Sequence, residues 1–118
     1  MGARREPVNP PVDGSVNLPE ILDFNLKHNA ELPMFAFNQD GSDEITEISY
    51  LEFVRACDRV AHALRPQRTG EDRQVVAFIA LADSVVYQAI TVGLMRAGLV
   101  VCHISLWLLS CLGCIHFF

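Results

Sequence analysis

The run from Val75 to Ser105, VVAFIALADSVVYQAITVGLMRAGLVVCHIS, constrains the fold more than any other stretch. Val75 to Leu81 is wholly apolar and partly β-branched, the pattern of a strand buried on both faces. Asp83 then offers a side-chain oxygen to the first free N–H groups of a helix. Val86, Ala89, Ile90, Gly93, Leu94 and Ala97 recur at spacings of three and four, which predicts one apolar helical face. Gly98 stands where a left-handed stop is needed, a backbone that is easy only without a Cβ. Leu99 to Ile104 reads as a second buried strand. The three pieces predict one β-α-β unit, with parallel strands and a right-handed crossover.

The upstream chain supplies the elements that this unit packs on. Residues 1–17, MGARREPVNPPVDGSVN, are rich in Pro, Gly and polar residues and read as a disordered leader. Met1-Gly2 is no myristoylation signal, because Glu6 stands where Ser or Thr is required. Asn17 and Glu20 form a helix-start pair with Pro19 in the first turn, and Ile21, Leu22 and Leu26 carry an apolar stripe to about Ala30. Pro33 is expected to end that helix. Met34–Asn38 and Glu44–Ser49 read as a hairpin around Asp40-Gly41. Ile45 and Ile48 break strict alternation in its second strand. Ser49 and Glu52 form a capping box, and Leu51, Val54, Cys57, Ala61 and Leu64 follow on one helical face. Pro66 closes this helix, and Arg65 to Arg73 reads as a polar linker.

A chain of 118 residues holds one small domain with a modest core. Its formal charge of −5 argues against nucleic acid as the main partner. The acidic residues Asp40, Asp43, Glu44 and Glu47 read as a solvated turn. With no apolar segment after Arg4 and Arg5, a secretory signal is not expected. The four cysteines then read as reduced thiols in a cytoplasmic chain, with Cys57 a small core residue.

The run LADSVVYQAITVGLMRAGLV, with Gly93, Leu94, Met95, Arg96, Ala97 and Gly98 at its end, resembles the early β-α-β of the acyl-adenylate-forming (AMP-binding) superfamily. It is most similar to the fungal type fused to carrier and reductase domains. LPEILDFNLKHNAELPMF resembles the family's opening helix, and ISYLEFVRACDRVAHAL resembles its second. The resemblance covers about residues 18–105. It implies an α/β fold, a partial N-terminal subdomain built of helix, β-hairpin, helix and a β-α-β unit. It also implies descent from an enzyme that activates a carboxylic acid with ATP and passes the acyl group to a thiol. The family's cofactors are ATP, Mg, and coenzyme A or phosphopantetheine. Its phosphate loop is rich in Ser, Thr and Gly and ends in Lys, so that backbone N–H groups and a cation meet polyphosphate. No stretch of this sequence matches that loop, and its only lysine is Lys27. The adenine-binding, ribose-binding and catalytic Lys positions of the family have no counterpart here either. No residue is therefore assigned a catalytic, cofactor-binding or metal-binding role.

Other constellations are weaker. Cys111-x-x-Cys114 with His116, together with Cys102 and His103, has the ligand types for zinc. Its intervening residues are nearly all large and apolar, which favours a simple apolar segment. A c-type haem site needs His directly after the second Cys, where Ile115 stands. His62 reads as a helix-surface residue, His28 as a partner of the dipole near the first helix's C-terminus, and Glu20 and Asp23 as a solvated face rather than an acid–base pair.

No Asp, Glu, Lys or Arg follows Arg96. Leu99 to Phe118 is thus long enough for a tail anchor. That reading competes with the strand at Leu99–Ile104 for the same residues. The favoured expectation is an inactive N-terminal piece of an adenylating enzyme, with residues 106–118 an unrelated apolar tail. Two alternatives stand beside it. One is a non-catalytic fragment that self-associates or docks on a full-length relative through an exposed sheet edge. The other is a small tail-anchored membrane protein.

Overall fold

The computed structural model describes residues 6–38 and 41–104. Asp40 of the expected hairpin turn, Ser105 and the whole of residues 106–118 lie outside them. So do Cys111, Cys114 and His116.

Helix α1 spans Leu18–His28. The Asn17 side chain accepts from the Glu20 N–H at 3.1 Å, and the Glu20 carboxylate accepts from the Asn17 N–H at 2.7 Å. This reciprocal box satisfies two N–H groups that an open helix end leaves free. The helix stops at Asn29 rather than at Pro33, because Asn29 leaves helical geometry and caps it. Pro33 instead begins strand β1, Pro33–Asn38. It pairs antiparallel with β2, Ile45–Ser49, across an irregularity between Pro33 and Phe35. Pairing is regular from Ile45 to Ile48, so two residues three apart face opposite sides: Ile48 packs on the core while Ile45 is exposed.

Helix α2, Tyr50–Leu64, opens on the Ser49–Glu52 box. Its buried face is Phe53, Val54 and Cys57. Leu64, expected on that face, is exposed at the last turn. A short 3-10 turn, Pro66–Arg68, follows. Strand β3, Val75–Phe78, and strand β4, Val100–His103, pair in parallel on either side of α3, Ser84–Arg96. The expected β-α-β order therefore holds, with shorter strands. Asp83 caps α3 by accepting from the Val85 N–H. Gly98 stops the helix region at φ +79°.

Two expectations about burial fail. Val86 faces solvent, and the core positions of α3 are Ala89, Val92, Gly93, Leu94 and the adjoining Ala97. The apolar run Val75–Leu81 is not buried on both faces, since Val75, Ile79 and Leu81 are exposed. Strands β3 and β4 pair with each other alone among the described residues, so the run has one strand beside it rather than two.

The core lies where α1, α2 and α3 meet the first hairpin. Leu22, Phe53, Val54, Cys57, Ala89 and Val92 form its centre. Phe35 meets Phe53 with ring centroids 5.1 Å apart. Gly93 brings α3 against α2: a Cβ there would come within 2.6 Å of the Val60 side chain and 2.9 Å of the Cys57 carbonyl. Residues 6–17 form no helix or strand. Even so, Val8 donates to Asn29 Oδ1 at 2.9 Å and accepts from Asn29 Nδ2 at 2.7 Å.

Candidate functional site

An apolar hollow lies where α1, β1, α2, α3 and β4 converge. Its volume is about 300 Å³, and its lining includes Leu22, Met34, Phe53, Thr91, Val92 and His103. The size suits a single ring or a few apolar side chains. At its rim the Tyr87 hydroxyl and His103 Nδ1 lie 2.7 Å apart. The two rings stack at 5.4 Å, and Phe78 lies 4.7 Å from Tyr87. Three aromatic residues thus join β3, α3 and β4, and the sharing of one proton between hydroxyl and imidazole fixes their orientation.

Charged groups organise the opposite end of the helices. Arg96 Nε donates to Asp58 and Arg96 Nη1 donates to Asp23, both at 2.7 Å. Burial works against its charge, but these two hydrogen bonds outweigh it and raise its pKa. Arg65 is 8% exposed. Its guanidinium donates to the carbonyls of Thr69, Gly70 and Ala97 and to the Asp72 carboxylate. The hydrogen bond from Arg65 holds the Asp72 carboxyl below the usual range. Burial pushes the Cys57 thiol up to about 11, which keeps it protonated and unreactive at neutral pH.

The sequence-derived candidates are placed apart. Asp23 faces Arg96 and Glu20 sits in its capping box, so the two carboxylates serve structure. His62 is on the surface of α2, and His28 lies against Phe24 with the rings tilted and their centroids 4.5 Å apart. Cys102 and His103 are neighbours on a strand and lie on opposite faces. His103 is engaged by Tyr87. Among the described residues no group of three or more His, Cys, Asp or Glu side chains converges on a metal position. Among them also, no helix is long and apolar enough to cross a membrane. Val100–His103 is strand, so a membrane helix beginning at Leu99 does not describe these residues.

Sequence reasoning missed Phe53, Asn29, Arg65 and the Tyr87–His103 pair. Phe53 lies one position off the stripe that was read, and the other three depend on partners far along the chain.

Among the described residues, the two least exposed arginines are already engaged by protein groups. Buried Arg65 donates to Asp72 and to backbone carbonyls, and half-buried Arg96 donates to Asp23 and Asp58. A phosphate would have to displace those partners.

No family model matches the chain, and no solved structure does. Curated relatives do. The chain is 53% identical over 90 residues to "Adenylate-forming reductase Nps11" of Serpula lacrymans var. lacrymans (strain S7.9), covering 75% of this chain and 8% of that protein. It is 45% identical over 98 residues to "Adenylate-forming reductase Nps9" of the same fungus, covering 83% and 9%. It is 34% identical over 100 residues to "Adenylate-forming reductase Nps10" of Heterobasidion annosum, covering 75% and 9%. Identity at this level, over most of the chain and in three relatives, reflects common descent. The chain is therefore homologous to the adenylate-forming reductases, over a stretch that spans less than a tenth of the length of these relatives.

Proposed function

We propose that these residues are framework of an acyl-activating module, the part of an adenylate-forming reductase that converts a carboxylic acid and ATP to an acyl-adenylate. Carrier and reductase chemistry, and the sites for ATP, Mg and a thiol acceptor, belong to other segments of such a protein. The 118-residue chain is then inactive by itself. One observation carries the reading: the similarity to adenylate-forming reductases extends over 75–83% of this chain. Arg65 and Arg96 stabilise helix ends and crossings instead of facing open solvent.

The test is a graft. Residues 18–104 replace the matching segment of the Serpula Nps11 reductase, and acid-dependent exchange of pyrophosphate into ATP is measured. The reading expects the graft to retain exchange. A graft that folds, by circular dichroism and cooperative melting, yet shows no exchange with any acid that the parent accepts would overturn it.

A further inference from the structure

The stretch Glu6 to Pro11, EPVNPP, lies on the surface ahead of α1 and is ordered in advance of any partner. Proline fixes its own φ at about −65° and disfavours helical geometry in the residue before it. Pro7, Pro10 and Pro11 thus restrict themselves together with Glu6 and Asn9. Within the stretch only Val8 escapes that restriction, and Val8 is the residue that the fold holds. Its N–H donates to Asn29 Oδ1 at 2.9 Å and its carbonyl accepts from Asn29 Nδ2 at 2.7 Å. Asn29 is itself buried and donates to Asn25 Oδ1 at 2.7 Å, so the clamp is fixed in turn. The clamp takes main-chain atoms of Val8 and leaves the neighbouring side chains available. Pro7, Asn9 and Pro11 are exposed, and Pro10 is half-buried.

The sequence here carries a second regularity. Arg4, Pro7 and Pro10 recur every three residues, as Arg-x-x-Pro-x-x-Pro. Arg4 lies outside the described residues. A polyproline II helix has three residues per turn, so this spacing is the one that puts a cation and two prolines on one edge of it. Val8 falls on a different edge of such a helix, so its clamp does not compete with the proline edge. We infer that residues 4–10 are a docking motif for an SH3-type domain. A groove paved with aromatic side chains takes Pro7 and Pro10, and an acidic group beside the groove takes Arg4. The order already present strengthens so short a contact, because few backbone angles remain to be fixed on binding. The inference does not depend on the reading under Proposed function.

The test is binding of the intact 118-residue chain to an array of purified SH3 domains from Serpula lacrymans, the fungus of two of the relatives, followed by biolayer interferometry. Saturable binding to at least one domain is expected. Pro7→Ala combined with Pro10→Ala, and separately Arg4→Glu, are each expected to weaken it by about tenfold or more. Thermal melting of the proline variant is expected to match the wild type, since neither proline belongs to the core. Binding by none of the domains overturns the inference. So does binding that the proline variant leaves unchanged. Binding lost with Arg4→Glu but kept in the proline variant also overturns it, and assigns the contact to a charged surface instead.

Discussion

Arg65 Nη1 donates to the Ala97 carbonyl at 2.6 Å and so ties the end of α2 to the end of α3. The same guanidinium holds the loop that follows α2, in which Gln67, Arg68 and Arg73 all take positive φ. These conformations cost energy in residues with a Cβ. The fork of donors on Arg65 compensates by satisfying three carbonyls at once.

Replacing Arg65 by Lys is therefore expected to destabilise the chain by about 2–4 kcal/mol, because a single ammonium cannot serve the separated acceptors. Urea unfolding of the two proteins measures it. A loss below about 0.5 kcal/mol, the range of an ordinary surface change, would show that the fork is not needed.

Gly98→Ala tests the neighbouring turn. The glycine sits at φ +79°, and an added Cβ would lie 2.8 Å from Arg68 Nη2 and 2.9 Å from Asp72 Oδ1. Backbone strain alone costs about 1–2 kcal/mol, and the contacts fall on the same Arg65–Asp72 pair. Thermal melting is expected to drop. A variant that melts at the wild-type temperature would contradict the turn as described.

Removing the Arg96 charge with Arg96→Leu keeps most of the apolar stem but frees Asp23 and Asp58. Both carboxylates are more than half exposed. Water therefore screens the pairs, and the expected loss is about 1–2 kcal/mol rather than that of a buried ion pair. The difference between variant and wild type is expected to shrink in 1 M salt, where the Debye length is about 3 Å. A salt-independent difference would assign the effect to packing.

Acid sensitivity follows from Glu52 and Asp72. The Ser49 backbone N–H holds Glu52 below its ordinary 4.5, and Arg65 holds Asp72 below 3.8. In each case the unfolded chain binds the proton more readily. Their stabilisation is thus complete above the ordinary values and is lost as pH falls through the folded ones. Glu52→Gln with Asp72→Asn is expected to flatten the dependence of melting temperature on pH below about 5. An unchanged acid limb would place the pH dependence elsewhere.

Local devices were legible in the sequence, since each needs only a few adjacent residues. The Asn17–Glu20 and Ser49–Glu52 boxes, the Asp83 cap and the Gly98 stop are found where their spacing places them. So is the β-α-β order. What periodicity could not assign was which apolar residues find partners. Leu64, Val86 and Val75 carry the composition of a core and are exposed. Arg65 and Asn29 carry the composition of a surface and are buried. The buried polar pair Asn25 and Asn29, joined at 2.7 Å, depends on Val8 from 21 residues upstream, a contact that no local pattern announces. The family resemblance was carried by the α3 and β4 stretch. The active-site chemistry of that family was not legible here, because its motifs have no matching positions in this sequence.

As proposed, these residues are framework for acid activation and do not perform it. The most direct measurement is acid-dependent exchange of pyrophosphate into ATP by the purified 118-residue chain, run beside the Nps11 graft. Exchange is expected from the graft and none above the protein-free blank from the chain. Acid-dependent exchange by the chain alone, abolished when the acid is left out, would contradict it.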